Sequence, residues 1–109
     1  MQKISSIEEF EKLIDSDEAF FLLKHSNTCP ISAAGYEEFA KYEQNSNDSL
    51  YYLIVQDSRE LSKHIAEKFH VKHESPQAIL FKNSNVAWHA SHYKITAKAL
   101  SEAKNENVK

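Results

Sequence analysis

Two short apolar runs constrain this chain more than anything else in it. Ala19-Phe20-Phe21-Leu22-Leu23 and Leu50-Tyr51-Tyr52-Leu53-Ile54-Val55 are nearly continuous, the pattern of strands buried on both faces. Between them, after Pro30, Tyr36, Phe39 and Ala40 fall on one face and Glu37, Glu38 and Lys41 on the other, which predicts a helix reaching about Tyr42. The polar stretch Gln44 to Ser49 then leads into the second strand. Two buried strands separated by a helix imply parallel pairing through a right-handed crossover, because a parallel connection needs an intervening element of about this length.

The flanking segments extend the pattern. Ile7, Phe10, Leu13 and Ile14 recur at helical spacing after Ser5 and Ser6, with Glu8 and Glu9 in the first turn where they suit the helix dipole. After the second strand, Asp57 and Glu60 read as a capping box ahead of the stripe Leu61, Ile65 and Phe69. Ala78-Ile79-Leu80-Phe81 and Val86-Ala87-Trp88 flank Asn83-Ser84-Asn85, a short polar loop suited to an antiparallel hairpin. Thr96 is placed to cap a last helix, with Ile95 and Leu100 as its hydrophobic staple. Residues 103–109 read as a frayed tail. The expected fold is α/β, a mixed four-stranded sheet with helices on both faces, in a single domain over residues 1–109.

Composition narrows the function. With 109 residues, 41% hydrophobic and 27% charged, the chain matches an ordinary compact domain. The longest apolar run is far too short to cross a bilayer, and the N-terminal residues alternate charge with apolar side chains, so a cytoplasmic protein without membrane contact is expected. A net charge of -3 without a basic cluster argues against nucleic acid as a partner. Of six histidines, His70 and His73 are three apart and so are His89 and His92, but neither pair carries zinc-site spacing, and no metal is expected.

One cysteine remains. Cys29 precedes Pro30, and proline favours the first helical position because its fixed φ suits the helix and its missing N–H has no partner there anyway. The residue before a proline is pushed out of the α region, so Cys29 falls at the helix cap, facing the N–H groups of Ile31 and Ser32. A sulfur at that end is stabilised as thiolate. The flanks Ser26, Asn27, Thr28 and Ser32 are polar, and the site follows the C-terminal end of a strand, where open α/β sheets place their functional crevices. An inert core cysteine is the competing reading; the setting favours a nucleophile.

Cys29-Pro30-Ile31-Ser32 resembles the Cys-Pro-Tyr-Cys of glutaredoxins with the second cysteine replaced by serine, and Thr28-Cys29-Pro30-Ile31-Ser32 is similar to the TCPIS motif of the monothiol bacilliredoxins. The resemblance extends over nearly the whole chain and implies a thioredoxin-like fold. It further implies that Ser75-Pro76 is the cis-proline site beside the active thiol, with Ser75 offering backbone groups to a bound partner.

The implied activity is monothiol disulfide exchange. Cys29 would remove bacillithiol, or a similar low-molecular-weight thiol acting as co-substrate, from S-thiolated client proteins. The resemblance calls for no bound cofactor, and the protein is expected to act as a monomer. It also suggests that Lys24 meets the carboxylates of the small thiol. Ser32 or Thr28 would hydrogen-bond the thiolate or cap the helix, and His25, if protonated, would steady the thiolate. A non-catalytic interaction module using the groove at Pro76, and iron–sulfur carriage by a dimer, are the alternative functions. Trp88, Tyr51 and Tyr52 read as core or half-buried sheet residues, and His92 and Tyr93 as a loop before the last helix.

Overall fold

The computed structural model describes residues 1–16 and 18–108. Its elements run β1 (Gln2–Lys3), α1 (Ile7–Asp15), β2 (Phe20–His25), α2 (Pro30–Gln44), β3 (Leu50–Ile54), α3 (Arg59–Phe69), β4 (Gln77–Lys82), β5 (Asn85–Ser91), a single 3₁₀ turn (His92–Lys94) and α4 (Ala97–Asn107). The sheet order is β1-β3-β2-β4-β5. β1, β3 and β2 are mutually parallel, while β4 lies antiparallel to β2 and β5 antiparallel to β4. The sheet is mixed, as expected, but has five strands instead of four. The added strand is two exposed residues on the edge, Gln2 and Lys3, pairing with Tyr51 and Tyr52. A strand defined by backbone pairing alone leaves no side-chain period to read.

Strand β2 divides the core by parity, because successive side chains point to opposite faces. Phe20 and Leu22 join Phe10, Ile14, Leu53, Leu61, Ile65, Ile79 and Phe81 in the layer under α1 and α3. Phe21 and Leu23 join Phe39, Tyr42, Leu50, Ala78, Leu80, Ile95, Leu100 and Ala103 in the layer under α2 and α4. In the first layer Phe10 is wholly buried and meets Phe20, Phe69 and Phe81 edge-on, with ring centroids 6.5, 6.0 and 5.3 Å away. Edge-to-face pairs of this kind add to what burial alone contributes.

Three local expectations need correction. The α3 cap is Ser58, with no side-chain cap bond, not Asp57; the Asp57 carboxylate lies 3.7 Å from Lys3 Nζ instead. The hairpin turn is Asn83-Ser84, with Asn85 already paired to Lys82. Both turn residues have positive φ, 53° and 60°, the requirement of the two-residue turn that matches strand twist. Residues 103–107 are helical and not frayed: Ala103 is buried, Asn107 Nδ2 donates to Ala103 O at 2.8 Å, and Lys82 Nζ donates to Asn107 O at 2.6 Å. No described helix is long and apolar enough to cross a membrane.

Candidate active site

Cys29 stands where β2 has ended and α2 begins. Its backbone is extended, φ −112° and ψ 120°, as the following proline demands. Its carbonyl accepts from Ala33 N at 3.2 Å, the first bond of the helix. The side chain is half-buried, and no amide caps it with a bond of formed geometry. The sulfur nonetheless faces the open end of α2. The backbone N–H of Ser32 chiefly, with smaller help from the Ile31 N–H and the Ser32 hydroxyl, holds the thiol pKa below its ordinary value, while burial opposes. Ser32 is fully buried and its hydroxyl has no fixed hydrogen-bond partner, which leaves it free to turn toward the sulfur.

The loop before Cys29 is held by a residue that the sequence did not reveal. Gln56, after β3, donates from Nε2 to Ser26 Oγ at 2.7 Å and to Thr28 Oγ1 at 3.3 Å, and its Oε1 accepts from Asn27 N at 3.2 Å. Thr28 thus spends its hydroxyl on the loop. Gln56 has no motif of its own; only the parallel pairing of β2 and β3, which sets His25 beside Ile54, brings these loops together.

The Ser75–Pro76 peptide is cis. Pro76 is buried against α2 at Gly35, where a Cβ built on the glycine would lie 3.4 Å from Pro76 Cβ and 3.8 Å from Ile95 Cδ1. The glycine therefore marks the place where the α2 backbone and the cis-proline segment meet. From the other side, Pro76 O accepts from His92 N at 3.0 Å, and His92 holds a left-handed φ of 56° to make that approach. The fold brings Thr28, Cys29, Pro30, Ile31 and Ser32 onto one helix start and sets Ser75 and Pro76 beside that helix.

Two neighbouring residues do not occupy the places suggested for them. Lys24 is fully buried, with Nζ 3.2 Å from Ser62 O and 3.3 Å from His73 Nδ1, so it offers no ammonium at the surface to the carboxylates of a small thiol. It shares parity with Phe20 and Leu22 and follows them inward. His25 turns to the α2 side, its ring 5.2 Å from that of Tyr36. Burial lowers its pKa against a smaller opposing contribution from the Ser32 backbone, which disfavours the imidazolium suggested as a partner for the thiolate.

The family model of the monothiol bacilliredoxin BrxC matches residues 2–100. The chain belongs to the monothiol bacilliredoxin family. A solved thioredoxin-fold structure, put forward as an oxidoreductase, is 47% identical to this bacilliredoxin, with a TM-score of 0.89 over 94% of this chain and 91% of that one. Mitochondrial thioredoxin 3 of Saccharomyces cerevisiae superposes with a TM-score of 0.77 at 18% identity, covering 97% of this chain and 94% of its own. A thioredoxin of Halobacterium salinarum gives 0.79 at 9% identity, covering 99% and 90%. The last two share the fold alone. Family and fold together assign this bacilliredoxin a redox role.

Proposed function

We propose that this bacilliredoxin removes bacillithiol from mixed disulfides on client proteins by a one-cysteine cycle. The Cys29 thiolate attacks the bacillithiol sulfur of the mixed disulfide. The bond between bacillithiol and client breaks, the client leaves as thiolate and takes a proton from solvent, and a Cys29–bacillithiol disulfide forms. A second low-molecular-weight thiol then attacks that disulfide, returning Cys29 as thiolate and carrying the oxidation away as a small-molecule disulfide. The same helix end serves both halves, since a stabilised thiolate is more available as nucleophile and also leaves faster.

The observation that carries this reading is the pairing of Cys29, whose pKa is lowered by the α2 amides, with Ser32 three residues on. A hydroxyl there forms no internal disulfide, so the cycle needs an external thiol. In this reading Ser75 and Pro76 would receive the backbone of a client, and Thr28, Pro30 and Ile31 would shape the approach to the sulfur. The test is intact-mass spectrometry of the reduced protein mixed with a bacillithiol-modified client. The expected result is transfer of the bacillithiol mass to the native chain and none to the Cys29→Ser variant. A client that stays modified beside a free Cys29 rejects the reading.

A further inference from the structure

The layer of the core beneath α3 encloses the amino group of a lysine. Lys24 is 0% exposed, and among the described residues no carboxylate pairs with it. Its Nζ donates to Ser62 O on α3 and toward His73 Nδ1 in the segment after α3, and His73 Nδ1 also lies 3.0 Å from Ser62 Oγ. Replacing buried charged groups with well-packed apolar ones is often neutral or stabilising, so stability alone does not account for an ammonium here, and its fixed partners direct attention to geometry.

That geometry leads to the cis-proline. Gln77 is the partner of Lys24 across the β2–β4 ladder. It is 1% exposed, and its Nε2 donates to Lys72 O at 3.0 Å. Two adjacent buried side chains of the sheet therefore grip residues 72 and 73, directly ahead of Ser75–Pro76, while His92 N holds Pro76 O beyond it. We propose that Lys24, acting through His73 and beside Gln77, is a positioning residue that holds the Ser75–Pro76 segment in the geometry that receives a protein client. The client rests on the function proposed above; the tether itself does not.

The tether depends on protonation. His73 Nδ1 accepts from Lys24 only while the imidazole is neutral. His73 is exposed as a residue, but its Nδ1 turns inward to Ser62 and Lys24; its pKa is lowered, by desolvation of the ring first and by the Lys24 charge second, with Glu74 opposing. Lys24 donates best as ammonium, and burial lowers its pKa to about 8. The other charged groups nearby, Arg59, Lys63 and Glu67, line the cavity beside Ser62 and His73. The tether is therefore complete above the lowered pKa of His73 and weakens as pH rises through about 8.

The first readout needs no client. Amide resonances of His73, Glu74, Ser75 and Gln77 in the native protein are expected to shift with a midpoint near pH 8, and in Lys24→Met they sit displaced and lose that transition. The second compares a bacillithiol-modified protein client with a small aromatic thiol carrying the same modification. For Lys24→Met, KM for the protein client rises about tenfold with kcat nearly unchanged, and the small mixed disulfide is turned over as before. His73→Leu, which removes the acceptor without entering the core, gives the same split and guards against a Lys24 variant that fails to fold. Loop resonances indifferent to both pH and substitution, or a KM that rises equally for the small disulfide, overturn the proposal. If the native protein reduces no client while the resonances behave as stated, the client-reducing function falls and the tether stands.

Discussion

Helices α2 and α4 pack side by side on one face of the sheet and begin in opposite ways. The start of α4 is closed twice: Thr96 Oγ1 accepts from Ala99 N at 3.0 Å, and Glu38 Oε1, reaching across from α2, accepts from Ala97 N at 3.0 Å. Ile95 and Leu100 then bury together as its staple. The start of α2 has only a half-buried sulfur at its cap, with no formed cap bond. Its hold on the molecule comes from its middle, where Gly35 meets Pro76 and Phe39 is fully buried. One helix uses its first turn for stability. The other leaves its amides to an anion, which is what a thiolate requires.

The contrast can be pressed where α2 is anchored. Gly35→Leu drives a branched side chain into Pro76 and Ile95 and is expected to cost about 1–3 kcal/mol, the usual effect of overpacking. Urea unfolding measures it. A neutral result would mean that α2 is held somewhere other than its middle.

Thr96→Ala removes the side-chain cap of α4 and is expected to cost about 1 kcal/mol, read in the same assay. A loss of that size at α4, set against no loss on removing the Cys29 sulfur, sharpens the distinction between the two helix starts.

Reactivity tests α2 directly. Because the folded thiol pKa is lowered, the thiolate is favoured in the native state, and alkylation by iodoacetamide rises with pH through a midpoint below the ordinary thiol value of about 8.5. At pH 7 the native protein is expected to react several-fold faster than an unstructured peptide containing Thr28 to Ser32. A midpoint at or above the ordinary value would remove the chemical half of the comparison.

The smallest effect has the opposite sign to the Thr96 substitution. Cys29→Ser places a good capping hydroxyl at α2 and is expected to stabilise the fold by a few tenths of a kcal/mol while abolishing exchange. Stability gained where reactivity is lost would show that the native cap serves chemistry.

Much of this site was legible in the chain. The consecutive pair Cys29-Pro30 places the thiol at a helix start through local sterics, and Thr96 with Ile95 and Leu100 marks the other start by the same kind of local rule. Lys24 was misplaced because the apolar run was taken to end at Leu23. With β2 carried two residues further, the period of two puts Lys24 on the face of Phe20 and Leu22. Asp57 has the composition of a capping residue, yet the helix starts one position later and its carboxylate lies nearest Lys3. Gln56 offered no signal, since its partners are 28 to 30 positions away and its contacts are side-chain amide bonds.

By itself the sequence determined what depends on neighbours within a few residues: the order of the main elements, the sulfur at a helix cap, and the absence of a second thiol to resolve it. Steric limits and hydrophobic period act at that range and leave their mark in composition. Tertiary structure decided what depends on residues far apart in the chain. It set Pro76 against Gly35, pinned the Cys29 loop with Gln56, and enclosed an ammonium under α3. Those outcomes follow from strand parity and parallel register, which are properties of the assembled sheet and of no single segment within it.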